Sequence, residues 1–161
     1  MTRVSNFARR RLESRHNVAY WRNRYYVAAG VGAHGHLPAA AAPALGIPPT
    51  PDAVAVRYWH GRGIAAYCES TRHDLLPVRD FEHVDARSHE EERVMLGLRL
   101  RGGVTITDAA MRRQAEDLRA AGLLELDGDV ARTTRAGETL LNAVTERITS
   151  PVFAHATTAA L

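Results

Sequence analysis

Residues 16–35, HNVAYWRNRYYVAAGVGAHG, decide how the chain reads. His16, Asn17, Tyr20 and Trp21 crowd a histidine, an amide and two large aromatics into one short stretch, and Arg22 and Arg24 follow directly. The run 25–31 is aromatic, then β-branched and small, and reads as a buried strand. Gly30, Gly32 and Gly35 then punctuate a turn around Ala33 and His34. A loop chosen only for solubility has no reason to gather these residue types. A site for a flat, apolar, iron-carrying ligand does. If 16–24 is helical, His16 and Tyr20 share a face by their i, i+4 spacing, and Asn17 and Trp21 share the adjacent one. The competing reading is that the two aromatics pack a helix onto the core and His16 is a solvated turn residue, since aromatics at element ends are commonly core.

The rest of the sequence sets bounds on that site. A chain of 161 residues buries one core, or one core and an incomplete piece. All basic residues are arginine, and seven of them (3, 9, 10, 11, 15, 22, 24) lie in the first 24 residues against a single acid, Glu13. The single cysteine, Cys68, cannot by itself make an internal disulfide, a thiolate zinc site or an iron–sulfur cluster. It reads as an inert small residue in a reducing, cytoplasmic compartment. No apolar run reaches transmembrane length, and the basic start lacks the apolar core of a signal peptide.

Working outward, residues 2–8 read as a short strand and 53–59 as another, with a short helix at 64–70. The stretch 38–52, PAAAAPALGIPPTPD, holds Pro38, Pro43, Pro48, Pro49 and Pro51 and reads as a linker or extended insert. Ser88 and Glu91 have capping-box spacing. The helix they start carries Val94, Met95 and Leu98 on one face and runs to Gly102-Gly103. Thr107 begins a helix to about 121, with Ala110, Met111, Ala115 and Leu118 on one face. Residues 123–133 form a hairpin about Asp127-Gly128-Asp129. Thr134 begins a last helix with Leu140, Leu141, Val144 and Ile148 inward, and Pro151 closes it. Helix, helix, hairpin, helix is a winged-helix order. The domains expected are 1–60, a connecting segment 61–87, a C-terminal domain 88–150 and a flexible tail 151–161.

Six short motifs then fall in a fixed order. They are Val4-Ser5-Asn6-Phe7-Ala8, His16-Asn17-x-x-Tyr20-Trp21, Gly30-x-Gly32-Ala33-His34-Gly35, Glu91-x-x-x-Met95-Leu96-Gly97-Leu98-Arg99 with Gly103-Val104, Leu118-x-x-x-Gly122-Leu123-Leu124, and Thr134-x-x-Gly137-x-x-Leu140-x-Asn142-x-Val144. Together they resemble the C-terminal part of the radical-SAM family of oxygen-independent coproporphyrinogen III oxidases and their haem-chaperone branch, HemW. The HNxxYW element favours that branch. The resemblance implies an α/β fold: the terminal strands and helices of a partial TIM-like radical-SAM barrel, followed by a mostly helical winged-helix-like domain. The family's CxxxCxxC, which holds a [4Fe–4S] cluster and S-adenosylmethionine, is missing here. The Ala/Pro stretch is not a family feature, and His60 stands where an Asn often follows the strand.

The resemblance further implies haem binding and transfer in porphyrin metabolism, with His16 as the iron ligand. The remaining cofactor-contacting candidates are Asn17, Tyr20, Trp21, Arg22, Arg24, Gly32, Ala33 and His34. Arginine pairs bidentately with carboxylates such as haem propionates; the bland reading of Arg22 and Arg24 is a solvated basic loop. The bland reading of 32–35 is a tight turn that only reverses the chain. His34 and His36 lack a third metal ligand. No residue is nominated as catalytic; [4Fe–4S] and S-adenosylmethionine are expected of the full-length family and not of this chain alone. Expected partners are haem, a separate N-terminal radical-SAM half and a haem-accepting apoprotein, with no membrane span. The alternatives are a winged-helix nucleic-acid or protein-interaction module with a basic N-terminal arm, or a non-functional gene remnant. Against the nucleic-acid reading, Glu116 and Asp117 interrupt Arg112, Arg113 and Arg119, and Glu125, Asp127 and Asp129 make the hairpin acidic.

Overall fold

The computed structural model describes Leu12 and residues 14–150. The strand expected at 2–8, the arginines at 9, 10 and 11, and the tail 151–161 lie outside the described residues. In chain order the elements are α1 (Arg15–Trp21), β1 (His34–Pro38), a 3-10 helix (Ala39–Leu45), β2 (Ala53–His60), α2 (Ile64–Arg72), β3 (Val78–Asp85), α3 (Ala86–Gly97), β4 (Val104–Thr105), α4 (Ala109–Ala120), β5 (Leu124–Asp127), β6 (Val130–Thr133), α5 (Arg135–Thr139) and α6 (Leu141–Thr149). They form two compact units, Arg24–Glu90 and the pair of segments Met1–Asn23 and Glu91–Leu161.

Arg24–Glu90 is built on an antiparallel meander in the order β1-β2-β3. Gly35 lies opposite Tyr58 and Leu37 opposite Val56; on the other side of β2, Tyr58 faces Phe81 and Val56 faces His83. Strand alternation sends Val56, Tyr58 and His60 to one face, and all three are buried. Each named strand pairing among the described residues is antiparallel, and they close no barrel. The parallel strands expected of a TIM-like barrel edge are therefore not found in them.

Residues 25–31 depart from the expected buried strand. Only Tyr26 makes a ladder contact, an isolated bridge to His36, while Tyr25 and Val27 are 47% and 69% exposed. Side chains take the place of a partner strand. The Ala28 N–H donates to the Tyr58 hydroxyl at 3.0 Å, and the Gly30 N–H donates to the Tyr67 hydroxyl at 3.2 Å. The stretch 38–52, expected as an unpacked insert, also differs. Prolines deny it ladder donors, so it coils as a 3-10 helix and packs through its small side chains. Ala42 and Ile47 are 1% and 2% exposed, in one core cluster with Val56 and Tyr58. Gly46, at φ 70°, takes the left-handed turn that ends the coil. The expected connection 61–87 contains α2, as foreseen, and β3, which was not. β3 reads VRDFEHVD, whose charges conceal a half-buried strand.

In the other unit the core is Val94, Leu98, Val104, Ile106, Met111, Ala115, Leu118, Leu124, Ala131, Leu141, Val144 and Ile148. A second antiparallel sheet, β4-β6-β5, closes it, with Asp127 opposite Val130 around Gly128 at φ 58°. The inward face of α4 is as expected, although Asp108 rather than Thr107 caps it, accepting from the Met111 N–H at 2.7 Å. Thr134 caps as expected, but the last helix breaks at Leu140 into α5 and α6. That break turns Leu140 outward, 51% exposed, and leaves Leu141, Val144 and Ile148 inside. Ser88 does not cap α3. Asp85 does, accepting from the Ser88 N–H at 2.8 Å and from its hydroxyl at 3.2 Å, so the helix starts earlier and also stops earlier, at Gly97.

Candidate functional site

The HNVAYW stretch is helix α1. Ser14 accepts from the Asn17 N–H at 3.3 Å and caps its start; Asn23, at φ 48°, leaves the helical conformation after its end. The expected face forms. His16 is exposed, and its ring meets Tyr20 edge-on with centroids 4.7 Å apart. Tyr20 is 37% exposed, Asn17 and Trp21 are half-buried, and Arg22 is exposed. No residue of α1 is buried. An exposed imidazole beside an aromatic edge keeps a nitrogen available to an outside metal, which a core histidine does not.

Arg99, legible in the sequence only as the end of the Glu91–Arg99 motif, is a site residue that no local spacing marks. Its guanidinium lies 5.6 Å from the centre of the Trp21 ring. One arm, Nη1, donates to the Met95 carbonyl at 2.5 Å. Burial lowers its pKa from the ordinary arginine value. Trp21 Nε1 is buried and has no hydrogen-bond partner among the described residues. Arg99 also lines an open cleft of about 430 Å³ with Glu138, Leu140 and Asn142. The signal that could have found Arg99 is its place one residue after Leu98, which is wholly buried in the core.

The remaining candidates lie in the unit Arg24–Glu90. Arg24 is exposed. The Gly32 N–H donates to Gly61 O at 3.0 Å, and the His60 N–H donates to Ala33 O at 2.9 Å. His60 Nδ1 sits 2.8 Å from Gly30 O, so this nitrogen carries the proton and donates. Gly35 packs on the Tyr58 ring, where a side chain has no room. Residues 30–35 are thus a turn held from beneath by His60, Tyr58 and Tyr67, and only His34 of the nominated residues there is exposed, stacked on Trp59 at 5.7 Å. His34 and His36 do not converge on a metal, since His36 is buried among the rings of Tyr25, Tyr26 and His89. Among the described residues no group of three His, Cys, Asp or Glu is placed to hold a metal ion.

On α4, Arg112 pairs with Asp129 at 2.5 Å and with Glu116 at 3.6 Å, and Arg119 pairs with Glu116 at 2.8 Å. No helix among the described residues is long and apolar enough to cross a membrane.

Comparison with known proteins yields relatives of which three are called heme chaperone HemW. The chain is 35% identical over 143 residues to proteins called heme chaperone HemW from two Mycobacterium tuberculosis strains, covering 88% of this chain and 33% of theirs. It is 28% identical over 151 residues to heme chaperone HemW of Bacillus subtilis, covering 88% of this chain and 36% of that one. A short stretch, 34 residues or 21% of this chain, is 53% identical to a Danio rerio protein called radical S-adenosyl methionine domain-containing protein 1, mitochondrial, and covers 8% of it. No family model and no solved structure matches significantly. The chain spans about a third of the length of the curated relatives it matches, and the HemW-like C-terminal region expected from six short motifs is borne out over 88% of its length.

Proposed function

We propose that this chain binds haem through α1, with His16 as the iron ligand, and serves the haem-holding and haem-transferring part of a HemW-like chaperone. The observation that carries the proposal is the exposed His16 ring against Tyr20 on a helix with no buried residue, in a chain similar to heme chaperones. His16 supplies a neutral imidazole nitrogen, Tyr20 and Trp21 supply ring surface, and Asn17 and Arg22 supply polar contacts at the edge. Haem brings the iron that the imidazole ligates. Arg24, Gly32, Ala33 and His34 lie in the unit Arg24–Glu90 and are proposed as ligand contacts of that unit by itself. The donor set does not fit a [4Fe–4S] cluster, because Cys68 is the one cysteine; cluster and S-adenosylmethionine chemistry is assigned to a separate radical-SAM half. A cytoplasmic setting fits the single free thiol.

The helices and sheet of 88–150 are read as a winged-helix-like domain for protein contact, with a haem-accepting apoprotein as the partner. Nucleic acid is disfavoured because Arg112 and Arg119 are held by acids of the same unit. Phosphate binding falls steeply with salt, whereas axial ligation does not.

The test is titration with haemin. The Soret band shifts on binding, and His16→Ala removes most of that shift while His155→Ala, the control for loose ligation by any histidine, keeps it. Equal loss in the two variants, or loss in neither, overturns the assignment.

A further inference from the structure

Resting on the haem reading, we propose an anchor that the sequence did not nominate: Arg99, placed over the Trp21 ring and lining the cleft beside Asn142, pairs with a propionate of the haem held by His16. Three observations meet at Arg99. Its guanidinium carbon lies over the Trp21 ring, 5.6 Å from the centroid, and one arm is held by the Met95 carbonyl. A guanidinium has five N–H donors, so this bond leaves others for a carboxylate in the forked geometry that arginine favours. The cleft it lines has the volume for a carboxyalkyl arm and carries the neutral amide of Asn142. Glu138 also lines the cleft and opposes a second anion there, but it is engaged in an interaction of its own. Finally, the buried Trp21 Nε1 has no partner among the described residues, a condition that a ligand acceptor would relieve.

Helical geometry puts Trp21 about 7–8 Å along α1 from His16 and roughly 140° around its axis, so a ring ligated by His16 has to reach past Tyr20 for its carboxylate to meet Arg99. Arg22 and Arg24 have no such fixation, and both are exposed.

The experiment compares ferric haem with its dimethyl ester, which keeps the ring and iron and loses both negative charges. The unaltered chain is expected to prefer the free acid by about tenfold, the scale of one charge-assisted hydrogen bond. Arg99→Gln is expected to abolish this preference while leaving ester affinity and the ligated Soret position unchanged. Arg99→Lys, which keeps the charge but not the fork, retains only part of the preference. Arg113→Gln, an exposed arginine of α4, keeps all of it. A preference that survives in Arg99→Gln overturns the anchor while His16→Ala still tests the haem reading separately. If Arg99→Gln loses its helical circular dichroism, Arg99→Lys decides: an undiminished preference there overturns the proposal, and a reduced one supports it.

Discussion

Gly35→Ala separates two roles for the glycine turn: close approach of a ligand, or close approach of Tyr58. A Cβ at Gly35 falls 2.7 Å from the Tyr58 hydroxyl and nearer still to two ring carbons, well inside van der Waals contact. The ring cannot swing aside cheaply. Tyr58 is 3% exposed and clusters with Ala42, Ile47 and Val56, and its hydroxyl accepts the Ala28 N–H at 3.0 Å. Overpacking of a filled core costs about 1–3 kcal/mol. If the ring does move, the lost hydrogen bond adds about 1 kcal/mol. The expected loss is therefore about 2–4 kcal/mol, by the sum of these two ranges. It should be confined to Arg24–Glu90, because Gly35 and all its contacts lie there. Denaturant-dependent hydrogen exchange is the suitable assay: the amides of β1 and β2 should lose protection while those of α4 and α6 keep it. Gly102→Ala is the control, since nothing lies within 4 Å of its Cβ and its φ is not positive. A Gly35→Ala loss below about 0.5 kcal/mol, the scale of ordinary surface substitutions, refutes the packing account.

Two further outcomes are expected elsewhere. Asp108→Ala removes the acceptor for the Met111 N–H and should cost about 1 kcal/mol in chemical denaturation; no loss would mean that Thr107 takes over the cap. The hydrogen bond from the Ser88 backbone holds the Asp85 carboxyl below its ordinary pKa, with the Ser88 hydroxyl and the Arg87 backbone and charge assisting against desolvation. A depressed folded-state pKa stabilises above the unfolded carboxylate pKa, and that contribution is lost as pH falls through the lowered folded value. An NMR titration placing the Asp85 midpoint at or above an ordinary aspartate would contradict it.

The elements legible in the sequence were those whose burial follows a helical or alternating period. Met111, Ala115 and Leu118 repeat along α4, and Val56, Tyr58 and His60 alternate along β2. Where side chains substitute for backbone pairing, the pattern misleads. Tyr25 to Val31 has strand composition, yet hydroxyls of Tyr58 and Tyr67, about thirty residues away or more, take its amides. Small side chains hid the opposite case: the Ala/Pro stretch looks like a linker because each residue buries little, but Ala42 and Ile47 fill the space over β2. Leu140 shows the limit of period alone, since a break of one residue at φ −108°, ψ 24° turned it from the core to solvent.

The candidate site was legible for the same local reason and incomplete for the non-local one. His16 and Tyr20 are four residues apart, so helical geometry alone joins them. Arg99 is 78 positions from Trp21, and no periodicity connects them. That contact also bears on why α1 exists. A seven-residue helix is too short to hold by propensity, and no residue of this one is fully buried, although Asn17, Val18, Ala19 and Trp21 are half-buried. The Ser14 cap ties it at one end and the contact of Trp21 with Arg99 at the other. Between those ends His16 is exposed to solvent, while Tyr20, 37% exposed, lies edge-on to it and makes an interaction of its own. Substituting His16 with alanine should therefore leave the stability of this unit nearly unchanged, within about 0.5 kcal/mol, while abolishing haemin binding. A large loss of stability in His16→Ala would mean that the imidazole is structural after all, and the helix would no longer argue for a ligand.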